Sequence, residues 1–179
     1  MKNRKKDLHF MMPPFILENR VGESGLKFPR SGVKWREANR MTGTYEHALD
    51  TKSRLAMPSR LREELGDTFH LAMGADECLT IYPQAAWEDL CRRADDLEEE
   101  EDREAMEVFF AQTYRCVVDS QNRIVIPPLL REYANLEKDV VIVGANTVAR
   151  IWSAKRWAEK VSTYMTPQKM KSLARKVRL

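Results

Sequence analysis

Cysteine, histidine and glycine are scarce in this chain, and each scarcity removes a class of chemistry. The three cysteines, Cys78, Cys91 and Cys116, are odd in number and form no C-x-x-C pair. They read as reduced packing residues of a cytosolic protein, not as a disulfide framework or a zinc site. The three histidines, His9, His47 and His70, are scattered, and no H-E-x-x-H occurs. The seven glycines form no phosphate-cradling loop. No apolar run approaches the roughly 20 residues of a membrane span. Lys2, Arg4, Lys5 and Lys6 precede Phe15-Ile16-Leu17, which is too short for a signal-peptide core. Carboxylates are plentiful, yet none forms a spaced pair beside a recognisable nucleophile. The inventory points away from an enzyme, a metal, a cofactor or a membrane, and towards the cytoplasm.

Charge is unevenly spread. Residues 1–40 hold ten Lys/Arg against four Asp/Glu, a net of +6 within a whole-chain net of +3, so the remaining 139 residues carry −3. DNA contact by such a body requires local basic clusters, because the local potential is what attracts phosphates. Residues 1–40, with Pro13-Pro14, Gly22, Gly25, Pro29 and Gly32, lack a sustained period and read as a flexible extension. Met41, where the patterned region opens, is an alternative start.

From there the chain repeats itself. Thr44, Tyr45, Asp50-x-x-x-Arg54-Leu55, Pro58 and Leu61-Arg62-Glu63 return as Thr113, Tyr114, Asp119-x-x-x-Arg123-Ile124, Pro127 and Leu130-Arg131-Glu132, at a constant offset of 69. One inserted residue then aligns Gly74, Ile81, Tyr82 and Trp87 with Gly144, Ile151, Trp152 and Trp157 at an offset of 70. Such a repeat is a supersecondary unit that buries its apolar face against a copy of itself. Two units follow, 41–94 and 113–164, joined by an acidic, helical linker over 95–112 and ending in a basic tail over 165–179. That tail reads as solvated, with DNA contact the alternative.

Each unit reads alike. Tyr45, His47 and Leu49 alternate with polar or small neighbours, the period of a half-buried strand, as do Tyr114, Cys116 and Val118. A turn, a short strand (Leu55–Met57 or Ile124–Ile126), and a helix opening at Pro58 or Pro127 follow. Gly66 and Asn135 suit the left-handed stop of those helices. Two more strands and a closing helix complete the unit. The stripes Trp87, Leu90, Cys91, Ala94 and Trp157, Val161, Tyr164 read as core or subunit contact. His47 reads as a packed histidine.

The repeated turns carry the most specific signal. Asp50 and Asp119 can accept from backbone N–H groups two residues on, which builds an Asx turn. Lys52, Arg54 and Arg123 then project as donors, and an arginine fork can grip phosphate or guanine O6 and N7. An internal Asp–Arg pair that merely closes the turn is the alternative reading for each.

With these residues in view the chain resembles the MraZ family, two tandem AbrB-like (SpoVT-AbrB) swapped-hairpin units. The likeness spans Met41 to Tyr164. It is carried by Tyr45-Glu46-His47, Asp50, Lys52, Arg54-Leu55, Pro58, Ile81-Tyr82-Pro83 and Trp87, and by Asp119, Arg123, Ile126-Pro127, Leu130-Arg131, Ile151-Trp152 and Trp157. The resemblance implies a mainly β, α+β double-repeat barrel with flanking helices, and a ring of eight or more such chains. It implies binding of double-stranded DNA at tandem TGGG-type promoter boxes upstream of the division and cell-wall gene cluster, often as a repressor, on the nucleoid. By position, Arg54 is the chief DNA contact, Lys52 lies beside it, Arg123 is its counterpart, and Asp50 and Asp119 structure the loops. The chain departs from the family in placing Ser53 and Asn122 where glycine usually precedes the arginine, and Thr42-Gly43 where Phe-Arg is usual. Gln121 stands at the second-unit position of Lys52, which favours the first loop. Two alternatives are an oligomeric protein-interaction scaffold and an antitoxin-type DNA binder.

Overall fold

The computed structural model describes residues 40–178. Of the expected extension over 1–40 only Arg40 falls among the described residues, while Met41, the alternative start, is described.

The first unit comprises β1 (Thr44–Ala48), β2 (Arg54–Ala56), α1 (Ser59–Leu65), β3 (Thr68–Gly74), β4 (Cys78–Pro83) and α2 (Gln84–Asp95). Helix α3 (Glu100–Ala111) follows. The second unit comprises β5 (Tyr114–Val117), β6 (Arg123–Val125), α4 (Pro128–Tyr133), β7 (Asp139–Ala145), β8 (Val148–Ser153) and α5 (Ala154–Tyr164), and α6 (Pro167–Val177) ends the described chain. Six strands form one antiparallel sheet in the order β1-β7-β8-β4-β3-β5, and β2 and β6 form a separate ribbon.

That order is a palindrome. The two units are related by a twofold axis between β4 and β8, where Thr80 faces Arg150. The same axis pairs Leu55 with Ile124 in the ribbon. Each unit gives its first strand away: β1 pairs with β7 of the other unit, and β5 pairs with β3. The first strands are therefore exchanged between the units. The expected closed barrel is not formed, because β1 and β5 remain unpaired edges. The short ribbon strands use their hydrogen bonds on each other and lie over the sheet instead of bridging its edges.

Burial explains the sequence pattern. In the edge strand β1, Tyr45 and His47 are half-buried while Thr44, Glu46 and Ala48 are exposed. Central strands are covered on both sides and lose the alternation, so Cys78–Ile81 and Val140–Val143 are continuously buried. The main core lies between one sheet face, the ribbon and helices α1 and α4; it contains Leu55, Leu61, Phe69, Leu71, Ile81, Ile124, Leu130, Ile142 and Ile151. On the other face, Cys78, Val141, Val143 and Trp152 pack with Trp157 of α5. In the first unit Trp87 stacks on His70 at 4.3 Å between ring centres, and Phe109 and Phe110 of α3 pack beside it. Burial lowers His47 and His70 below the ordinary 6.5, with Arg115 adding to the effect at His70, so both are neutral packing groups at pH 7. It also raises Cys78, and pushes Cys116 up to about 11.

Local signals hold with adjustments. Gly66 and Asn135 both take positive φ, 80° and 46°, as expected of helix stops, but the ψ of −174° at Gly66 is extended and not that of the left-handed cap. Pro58 and Pro127 are helix caps with extended ψ, one residue before the helical position expected of them. The acidic run is partly helical: Glu100, Glu101 and Asp102 form the first turn of α3, where carboxylates complement the helix dipole. The tail is helical, with Thr166 capping α6 and Pro167 opening it, and it is exposed along almost its whole described length, as a solvated tail would be.

The offset also needs correction. Leu71 pairs with Ile81 and Ile142 with Ile151, so β3 maps onto β7 at an offset of 71 while β4 maps onto β8 at 70. Two residues are inserted before β7, and one is lost from the following turn. Gly144 is thus the counterpart of Met73, not of Gly74, and its role is its own. A Cβ there would strike the Met41–Thr42 backbone. That segment crosses over β7, held by Met41 N–H to the Asn146 carbonyl (2.7 Å), Asn146 N–H to the Met41 carbonyl (3.0 Å) and Gly144 N–H to the Gly43 carbonyl (2.9 Å). Backbone cannot yield as a side chain can. Gly144→Ala is expected to lower unfolding stability by about 1–3 kcal/mol, the range of overpacked sites, measured as a lower urea midpoint.

Candidate nucleic-acid interface

Loop 1 (residues 50–54) and loop 2 (residues 119–123) are near copies. The Asp50 Oδ1 accepts from Lys52 N–H (2.8 Å) and Arg54 N–H (2.9 Å), and Asp119 Oδ1 accepts from Gln121 N–H (2.8 Å) and Arg123 N–H (2.9 Å). Ser53 and Asn122 donate their N–H groups to the Asp50 and Asp119 carbonyls, each at 2.9 Å. These bonds are the Asx turns that the repeated aspartates imply. Ser53 and Asn122 each have φ of 57°, so the loops take the left-handed conformation without the usual glycine.

The ribbon brings the two loops together. Arg54 faces Val125 and Arg123 faces Ala56 across it. Leu55 and Ile124 point into the core, so by strand alternation Arg54, Ala56, Arg123 and Val125 share the outer face. Strand spacing sets the two arginine Cα atoms about 8 Å apart on the diagonal. Val125 is exposed there, and Lys52 lies exposed in loop 1 with Gln121 exposed at the matching place.

Both arginines also pair with their own aspartates, so the turn-closing reading holds as well. The pairing is unequal. Arg54 Nε donates to Asp50 Oδ2 at 2.6 Å, and among the described residues neither of its terminal nitrogens has a hydrogen bond. Arg123 spends two nitrogens on Asp119 Oδ2, Nε at 3.0 Å and Nη2 at 2.9 Å. Arg54 keeps 30% of its side chain accessible, against 23% for Arg123. Loop 1 therefore offers the freer guanidinium as well as the lysine.

One residue of this surface was marked by the repeat but not assigned to a loop. Arg131 of α4 donates through Nη1 to the Ser53 hydroxyl at 2.8 Å, across 78 positions of sequence. Its repeat partner Arg62 donates instead to Asp67 at 2.7 Å. The recurrence of Leu-Arg-Glu in both helices marked the pair, but only the fold shows that one of them reaches a loop. An open groove of about 930 Å³ beside loop 1 is lined by Leu49, Asp50, Thr51, Arg131, Asn135 and Lys138, among others. Among the described residues no group of three or more His, Cys, Asp or Glu side chains gathers as a metal site.

Two first strands exchanged about an internal axis, with paired Asx loops at the ends of a ribbon, define a duplicated strand-exchanged protein. The family described as "MraZ protein, putative antitoxin-like" matches the chain twice, over residues 41–108 and 109–177, and the chain belongs to it. A protein of Heliobacterium modesticaldum named Transcriptional regulator MraZ is 45% identical over 119 residues, 65% of this chain and 83% of its own. One of the same name from Caldicellulosiruptor saccharolyticus is 41% identical over 140 residues, 74% of this chain and 98% of its own.

The loop carboxylates are more acidic than an ordinary aspartate. Asp50 is held below the ordinary 3.8 by the Arg54 backbone N–H first, and then by its guanidinium and the Lys52 N–H. Asp119 is held below it mainly by the Arg123 side chain. A depressed folded value means that their contribution to loop order is complete above 3.8 and is lost as pH falls through the folded value. NMR titration is expected to place both carboxyl midpoints below 3.8, with the amide signals of Lys52, Arg54, Gln121 and Arg123 moving at the same midpoints.

Proposed function

We propose that this protein is a sequence-specific DNA-binding transcriptional regulator, a repressor of the division and cell-wall gene cluster that reads tandem guanine-rich promoter boxes through loop 1. The observation that carries this reading is the outer face of the ribbon, where Arg54 stands on a pinned turn with unbonded terminal nitrogens beside Lys52. The names of the relatives support the same class. A fork fixed at Nε and free at its tips suits bidentate contact with guanine, worth roughly 1–3 kcal/mol of discrimination per good pair. Arg123, tied twice to Asp119, contributes less and acts as a secondary contact.

One loop makes few contacts, and non-specific binding of such proteins has a Kd of only about 10⁻⁴–10⁻⁶ M. Several copies on repeated boxes would raise the effective concentration without new contacts. The helices supply a joint for such a ring. Residues 165–179 hold five basic residues and no acidic one, whereas residues 95–107 hold nine acidic residues and one arginine. Helix α6 exposes Met170, Leu173 and Val177 on one face. Between α2 and α3 lies a groove of about 300 Å³ lined by Met106, Phe110, Asp95 and Glu107, with Arg103 and Ala94. In this reading the basic, apolar-faced α6 of one copy packs into that acid-rimmed groove on the next, the two being opposite in charge. A head-to-tail contact of this kind closes into a ring when its rotation permits.

Two experiments test the reading. Arg54→Ala is expected to reduce binding of a duplex with tandem TGGG-type boxes at least tenfold in gel shifts, with the oligomer unchanged by light scattering; undiminished binding would sink the loop assignment. Wild-type affinity should also fall steeply with salt, whereas a protein-interaction scaffold would not bind the duplex at all. Leu173→Glu is expected to yield smaller species in light scattering and weaker binding to multi-box DNA, with single-box binding retained.

A further inference from the structure

Loop 1 carries a strain that loop 2 does not. Both place a residue at φ 57° before the arginine. Asparagine visits this region readily, whereas serine has no such tolerance and the family's usual glycine has no cost there at all. Ser53 is nevertheless pinned at every polar group. Its N–H donates to the Asp50 carbonyl (2.9 Å), its carbonyl accepts from Ile126 N–H (2.9 Å), and its hydroxyl accepts from Arg131 (2.8 Å). The backbone bonds have equivalents in loop 2, where the Asn122 carbonyl accepts from Met57 N–H at 2.7 Å. The hydroxyl bond has none, because Arg62 is engaged with Asp67.

We propose that Arg131 is a positioning residue for DNA recognition: by holding the Ser53 hydroxyl it keeps loop 1 in its left-handed form and fixes the direction in which Arg54 leaves the ribbon. The inference rests on the reading of loop 1 as the DNA contact. It makes recognition by the first unit depend on a helix of the second. It also explains how serine serves at a place suited to glycine. Serine without the arginine leaves the loop free to relax out of φ > 0, and glycine at 53 makes the arginine dispensable. Arg131 is itself exposed beside the groove that contains Lys138, so direct phosphate contact is the competing role.

A double-mutant cycle separates the two. Gel-shift titration on the tandem-box duplex is expected to show about tenfold weaker binding for Arg131→Ala and for Ser53→Ala, with the double variant no weaker than either. In a Ser53→Gly background, Arg131→Ala is expected to change nothing relative to Ser53→Gly alone. The slope of log affinity against log salt should stay constant throughout, since no phosphate contact is removed. An equal loss from Arg131→Ala in both backgrounds, or a slope reduced by about 0.9, would overturn the positioning role in favour of direct contact. Arg54→Ala is run alongside. If it loses binding while Arg131→Ala does not, this inference alone fails; if it binds normally, the reading of loop 1 fails with it.

Discussion

Everything on the outer surface of this molecule depends on the antiparallel pairing of Leu55 with Ile124 at the internal axis. The two side chains are buried, so the ribbon is anchored from within, and strand alternation turns their neighbours outwards. Arg54 and Arg123 share a face because the residue after each belongs to the core. Slipping the ribbon by one residue would bury the arginines and expose the aliphatics. Hydrophobic burial thus sets where the charges stand, and the Asx bonds set how they are aimed.

The same axis makes the two halves inseparable without making them identical. Each unit completes its sheet with a strand borrowed from the other. The β3–β4 turn of the first unit also reaches the second, where Asp76 pairs with Lys160 at 2.9 Å and Glu77 with Arg156 of α5. Within this shared frame the loops have diverged in opposite ways: loop 1 keeps a lysine and a lightly tied arginine, while loop 2 has a glutamine and a doubly tied one. The closing helices diverge too. Phe109 and Phe110 fold α3 back against Trp87, whereas α6 leaves its apolar face uncovered.

Much of this was legible in the residues. The alternation in β1, the positive φ at Gly66 and Asn135, and the recurrence of Asp and Arg all rest on local rules that tertiary packing left intact. What local rules cannot carry is pairing between distant segments. The exchange of β1 and β5, the open edges of the sheet and the reach of Arg131 to Ser53 depend on which strand lies beside which, and no periodicity encodes that. The glycine at 144 misled for the same reason. It sat one position from the repeat of Gly74, but it answers to the backbone of Met41 and Thr42, about 100 positions upstream. The loop residues themselves were correctly grouped as two turns, while their common face required the ribbon.

The exchange of first strands has a consequence for synthesis. Thr44 finds its partner at Val143, 99 residues later (143 − 44). At roughly 5–20 residues per second of translation, β1 leaves the ribosome some 5–20 s before β7 exists to receive it. Later in that interval β3 and β4 can pair, while β1 remains an unclaimed edge. On a message read by several ribosomes, the next nascent chain carries an equally unclaimed β1, and a finished chain ahead has none to spare. The order in which strands emerge therefore protects the exchange: by the time β7 appears, the nearest free β1 is the one tethered to it.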